Sequence, residues 1–133
     1  MNVKIDTKEK FTVITPLENV FHANMTGKLE ELLLSYTEKN IRHLILNMKN
    51  IEAMDLEPAI KLAEIQQLFY DKNLSFVICE LKQNVESLLD SNEVLEIMNV
   101  TPTESEAWDI VQMEEIEREL MADPGDDDLS DKT

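Results

Sequence analysis

Residues 44–62 read LILNMKNIEAMDLEPAIKL, and the fold turns on how this stretch divides. Leu44, Ile45 and Leu46 are consecutive aliphatics. Side chains alternate across a strand, so such a run is apolar on both faces and belongs in the middle of a sheet covered on both sides. From about Pro58 to Asp71 the period changes. Ala59, Leu62, Ala63, Ile65 and Phe69 recur at helical spacing. The run LSFVICE, 74–80, then repeats the strand logic with Phe76, Val77, Ile78 and Cys79. Strand, helix and strand in this order make a crossover unit, which forces the two strands to be parallel.

Outward from this unit, NVKID and FTVIT are short alternating runs separated by TKEK, a hairpin pattern. Pro16 ends the second run or sets it at an edge. ENVFHAN is a connection without a regular pattern. From Met25, Leu29, Leu32, Leu33 and Tyr36 lie on one helical face. NVESLLDS reads as a short helix, and EVLEIMNV places a last strand near Leu95–Met98. In TPTE, Thr101 fits an N-cap, Pro102 the first helical position and Glu104 the third, a capping box that opens a helix carrying Trp108, Val111, Ile116 and Leu120. The expected strands are 2–6, 11–16, 43–48, 74–79 and 95–98, and the expected helices 25–38, 58–71, 83–91 and 102–121. This is an α/β fold, a mixed sheet of about five strands with four helices packed mainly on one face. One domain spans 1–121, followed by an acidic tail, 122–133, too poor in apolar residues to fold. Because the ring of Pro58 pushes the preceding residue out of the helical region, Glu57 is expected to be extended, with Pro58 opening the helix and Asp55 and Leu56 in the loop.

The chain has 133 residues, 43% of them hydrophobic, enough for one real core. Its formal net charge is -16. Residues 114–133 carry nine acids against Arg118 and Lys132, a net of -7. Such a surface repels phosphate backbones and anionic headgroups, which speaks against nucleic acid and membrane insertion and for a basic protein face as partner. A lone cysteine rules out an internal disulfide framework and makes a reducing cytoplasm the default location.

With two glycines, Gly27 and Gly125, the sequence has no glycine-rich phosphate loop. His22 and His43 follow no metal-ligand spacing, and Cys79 lies in an apolar strand, so they read as packing or surface residues. No triad assembles. The expectation is no catalytic residue, no metal, no cofactor and no enzyme. Asp55 and Glu57 fit acids at a helix N-terminus, where the backbone dipole favours them, better than an acid–base pair.

The order of elements, and LILNMKNIEAMDLEPA in particular, resembles the STAS domain of bacterial anti-sigma-factor antagonists. The family's corresponding strand reads roughly L-V-L-D-L-S-x-V, followed by an apolar pair and D-S-[ST]-G. Leu44, Ile45 and Leu46 match the strand, Asn47 stands for the usual Asp, and Met48 fills the Leu place. Asn50 holds the turn, Ile51 the Val, and Ala53 and Met54 precede Asp55. HANMTGKLEELLL resembles the opening of the first family helix and TPTESEAW that of the last, with Ala107 in the small position.

The resemblance implies a small cytoplasmic switch in signal transduction and transcription regulation, similar to SpoIIAA. Such proteins bind an anti-sigma kinase until it phosphorylates the Ser after the Asp. Here D-S-[ST]-G has become Asp55-Leu56-Glu57-Pro58. Leu56 takes the phospho-acceptor position and has no hydroxyl. The resemblance therefore implies a non-catalytic docking module, with Asp55, Leu56, Glu57, Pro58 and Lys61 as the partner-binding residues. An accessory subunit of an ABC-type lipid transporter is the alternative, and a homodimer is left open.

Overall fold

The structure is a computed structural model and describes residues 1–122. Seven strands are β1 (Val3–Thr7), β2 (Phe11–Pro16), β3 (Val20–Phe21), β4 (His43–Asn47), β5 (Ala53–Met54), β6 (Phe76–Cys79) and β7 (Val100–Thr101). Four helices are α1 (Thr26–Leu34), α2 (Leu56–Asp71), α3 (Gln83–Ser91) and α4 (Glu104–Ala122). The main sheet runs β1-β2-β4-β6-β7, with β4 at its centre as the triple-aliphatic run requires. β1 is antiparallel to β2, and the remaining pairs are parallel.

Side-chain alternation builds two cores from the same strands. Ile14, Leu44, Leu46, Phe76 and Ile78 face the larger core, which α1, α2 and α3 complete with Leu29, Leu33, Leu62, Phe69, Val85 and Leu89. Phe11, Val13, Ile45, Val77 and Cys79 face the smaller one, closed by Ala107 and Val111 of α4. Three helices thus share one face, and α4 lies alone on the other. Phe11 meets Trp108 edge to face at 5.1 Å.

Four local expectations are corrected. The stretch 95–98 is not a strand. Val94 is buried and Leu95–Ile97 make a 3-10 turn, while β7 forms two residues later. Buried Gln66 accounts for the shift: its amide donates to Phe76 O and Asn99 O at 2.9 and 3.0 Å and accepts from Asn99 N at 3.0 Å. The same Asn99 carbonyl accepts from Ile78 N at 3.0 Å, so pairing with β6 begins there. Second, α4 opens at Glu104, not Pro102. Its first turn is capped by Thr103, whose Oγ1 accepts from Glu106 N at 3.2 Å and donates to Glu106 Oε1 at 3.0 Å; Thr101 lies in β7 instead. Third, the stretch 25–38 is α1 flanked by 3-10 turns at Ala23–Met25 and Ser35–Glu38. Fourth, the irregular connection 18–24 contains β3, which pairs in parallel with β5 in a sheet of its own. The expected tail lies outside the described residues except for Ala122, which closes α4.

Candidate partner-binding site

Helix α2 begins at Leu56, two residues before the expected start at Pro58. Asp55 is its N-cap, extended at φ -77° and ψ 163°. Leu56, Glu57 and Pro58 are the first three helical residues. Their N–H positions have no carbonyl partner inside a helix, so proline loses nothing there. The carbonyl its ring would otherwise strike belongs to Met54, outside the helix. The proline's preference for an extended predecessor is overridden at Glu57 by the rest of the helix.

What fixes this start is the small sheet. Glu52 N donates to Asn19 O at 2.6 Å and Asp55 N to Phe21 O at 2.8 Å. The Asp55 carboxylate makes no cap bond to its own helix. It accepts instead from Ala23 N at 2.7 Å, at the head of the turn that leads into α1. Asp55 is thus a clamp between two helix starts, and its charge serves the Ala23 N–H of the neighbouring turn.

The five residues singled out in the sequence share one helix start, but with different access. Leu56 is 38% exposed and Glu57 is exposed. Pro58 is buried under the helix. Asp55 is exposed with its carboxylate engaged. Lys61 Nζ lies 3.0 Å from Glu64 Oε1 and 3.5 Å from Glu30 Oε2. The hydrogen bond to Glu64 is the chief reason its pKa is raised, so it stays charged and tethered. Ile60, 44% exposed and one turn after Leu56, extends the apolar surface. It was missed in the sequence because it falls out of phase with the buried face. Spacing from Leu56 by four is the signal that finds it. Leu56, Glu57, Ile60, Lys61 and Glu64 line an open hollow of about 440 Å³ with Thr26 at its floor. The Thr26 hydroxyl is occupied, donating to Ala23 O at 2.8 Å.

This helix start is poorly suited to hold an anion. Pro58 supplies no N–H, and Glu57 sets a carboxylate in the first turn. The surface offers two apolar side chains in an acidic rim. Elsewhere, burial pushes the Cys79 thiol up to about 12 and holds it protonated. Burial also lowers the His43 pKa. Its Nδ1 accepts from Ser75 N at 3.0 Å, a structural bond of the neutral ring.

A sheet of this order, with a helix starting on an Asp cap beside a short parallel pair, defines a class. The chain belongs to the STAS domain family, whose model matches residues 2–107. Among solved structures, a putative anti-sigma factor antagonist from Thermotoga maritima superimposes with a TM-score of 0.70 at 15% identity, covering 83% of this chain and 94% of that one. A serine-to-glutamate variant of RsbS from Moorella thermoacetica gives 0.68 at 21% identity, covering 89% and 99%. The anti-sigma factor antagonist SpoIIAA in its unphosphorylated form gives 0.65 at 12%, covering 84% and 96%. At these identities the likeness is one of fold. Over 94 residues, 71% of this chain, the sequence is 32% identical to a probable CtpA-like serine protease of Staphylococcus epidermidis in two strains. It spans 18% of that protein's length. Among the described residues, no helix is long and apolar enough to cross a membrane.

Proposed function

We propose that the chain is a non-catalytic, cytoplasmic regulatory module that docks a protein partner through the start of α2 and is permanently competent to bind. Residues 1–121 form the docking domain and 122–133 an acidic tail. The observation that carries this reading is Leu56. It is an apolar residue on the surface at the position the family resemblance gives to a phosphorylated serine, with Ile60 beside it. An apolar knob in a shallow hollow suits a desolvated contact, in which a few central side chains carry most of the affinity. Glu57 is a weak stand-in for phosphate. It carries one charge rather than about two and lacks the extra acceptor oxygens. The kind of partner that fits the antagonist-like fold is an anti-sigma kinase or related signalling protein. An ATPase subunit of a lipid transporter is the other class.

The test is affinity capture of the partner from the native cell, followed by direct binding of the purified pair. Leu56→Asp is expected to weaken binding by about 30-fold or more, the size of a hot-spot loss, and Glu57→Ser to change it little. If Glu57→Ser switches on binding that the unaltered chain lacks, Glu57 acts as a phosphate mimic and the proposal fails. A captured transporter ATPase selects the second class.

A further inference from the structure

Helix α4 has two apolar sides. Ala107 and Val111 lie against the sheet. On the far side Met113, Ile116 and Leu120 are 55%, 56% and 72% exposed. Their spacing of three and four residues makes one stripe, roughly 10 Å long at about 1.5 Å per residue. A separate open hollow of about 620 Å³, lined by Tyr70, Asn73, Glu114, Glu117, Arg118 and Met121, lies on the inner side of the helix and contains none of the three. Single apolar residues on a surface are ordinary. An aligned set on one exposed helix face is a patch.

The charge around the stripe identifies what fits it. Glu106, Asp109, Glu117 and Glu119 are exposed along α4. Arg118, the sole base in the helix, is turned inward, with Nη2 donating to Ser75 Oγ at 3.0 Å and lying 3.7 Å from Glu114 Oε1. A second copy of this chain would bring acids against acids in either helix orientation. An antiparallel pair sets Glu106 and Asp109 opposite Glu117 and Glu119, and a parallel pair sets each beside its own kind. Residues 123–133 contain one large apolar residue, Leu129, too few for that segment to fill the stripe.

We propose that the outer face of α4 is a second docking surface, for an amphipathic helix whose apolar ridge is flanked by Lys and Arg. It lies across the sheet from the start of α2, so one chain can hold two partners at once. It stands whether or not Leu56 binds anything.

The test uses the full chain and a synthetic helix of about 20 residues with a leucine ridge and lysine flanks. A second peptide carries glutamates at the flanks. Anisotropy titrations are run at physiological ionic strength, with sedimentation equilibrium of the chain alone. The lysine peptide is expected to bind and the glutamate peptide not. Ile116→Asp is expected to weaken the lysine peptide by about tenfold or more, although it adds negative charge. Ile116→Ser is expected to weaken it in the same direction, and Leu56→Asp to leave it unchanged. Unaltered or tighter binding by Ile116→Asp would mean that charge alone attracts the peptide and would overturn the proposal. So would a dimer of the unaltered chain that Ile116→Asp dissolves, since a second copy would then own the stripe.

Discussion

Helices α2 and α4 are the two longest of the fold, 16 and 19 residues, and they are fastened to the same sheet by different means. α2 buries Ala59, Leu62, Ala63, Ile65 and Phe69 in the larger core. α4 buries Ala107 and Val111, and its second half is tied down by polar groups. Ser75 Oγ donates to Glu114 Oε1 at 2.6 Å, Asn99 Nδ2 donates to Glu114 Oε2 at 3.2 Å, and Arg118 closes the set. Near its start, Asn47 Nδ2 donates to Glu104 Oε1 at 2.8 Å. Apolar burial is indifferent to pH, and its loss scales with the volume removed. Polar ties are individually weaker, and each depends on its partner keeping the right charge. α2 is therefore part of the fold's foundation, and α4 is an attached element that can be loosened by itself.

The sharpest way to break that comparison is Phe69→Ala, expected to cost about 3–5 kcal/mol. Ile116→Ser, at an exposed α4 position, is expected to cost about 0.5 kcal/mol or less. Denaturant unfolding of both decides it, and a loss above about 1 kcal/mol for Ile116→Ser would mean that α4 packs against more than the sheet. Next comes Asn47→Asp, which sets a second carboxylate beside Glu104. A loss of about 1–3 kcal/mol is expected at neutral pH. The introduced carboxyl has a folded pKa raised by its like-charged neighbour. The penalty is thus full above that raised value and vanishes as pH falls toward the unfolded pKa of about 3.9. Thermal unfolding across pH checks both size and direction.

Ser75→Ala follows. It removes the hydroxyl shared by Glu114 and Arg118, at an expected cost of about 1–2 kcal/mol. Hydrogen exchange should rise in α4 and not in α2, and equal rises would erase the distinction between the helices. The smallest effect belongs to His43. Its pKa is lowered by burial and by the cations Arg118 and Arg42, with Glu115 and Glu114 opposing. In the window between that lowered value and the ordinary one near 6.5, the unfolded chain binds more protons, so stability rises with pH through it. His43→Asn keeps an acceptor for Ser75 N and should flatten that slope, as read from melting temperatures measured in steps downward from pH 6.5.

The same contrast explains what was legible in the sequence. β4, β6 and α2 were readable because their apolar patterns follow from burial, and burial has a period. The paired start of α2 was not. Nothing in VFHAN announces a two-residue strand, since its partner Ala53–Met54 lies 33 residues away. The start of α4 was misplaced between two threonines two apart in TPTE, because Thr101 and Thr103 offer the same cap chemistry and the pairing of β7 chooses between them. β7 itself depends on one glutamine amide, whose role no pattern reveals. At the start of α2, the sequence showed that Leu56 carries no hydroxyl. It could not show that Pro58 is covered or that Asp55 and Lys61 already have partners. Asn47, which departs from the family's usual Asp, is accounted for by the carboxylate of Glu104 against it.

The Asp55–Ala23 bond joins residues 32 apart, and the β3–β5 pairing joins residues one further apart, Val20 to Ala53 and Phe21 to Met54. Closing such a loop costs entropy before it returns any contact, as it does for the β2–β4 and β4–β6 pairings, which join residues 32 apart, so these links belong to the folded chain and not to a local segment. A free peptide of α2 contains Leu56 and Ile60 but lacks the frame that aims them. A chain still emerging from the ribosome, or half unfolded by heat, lacks it too. For a partner that docks at the start of α2, recognition doubles as an inspection of the finished product. What it counts is the stock of completely folded molecules rather than the rate at which they are made.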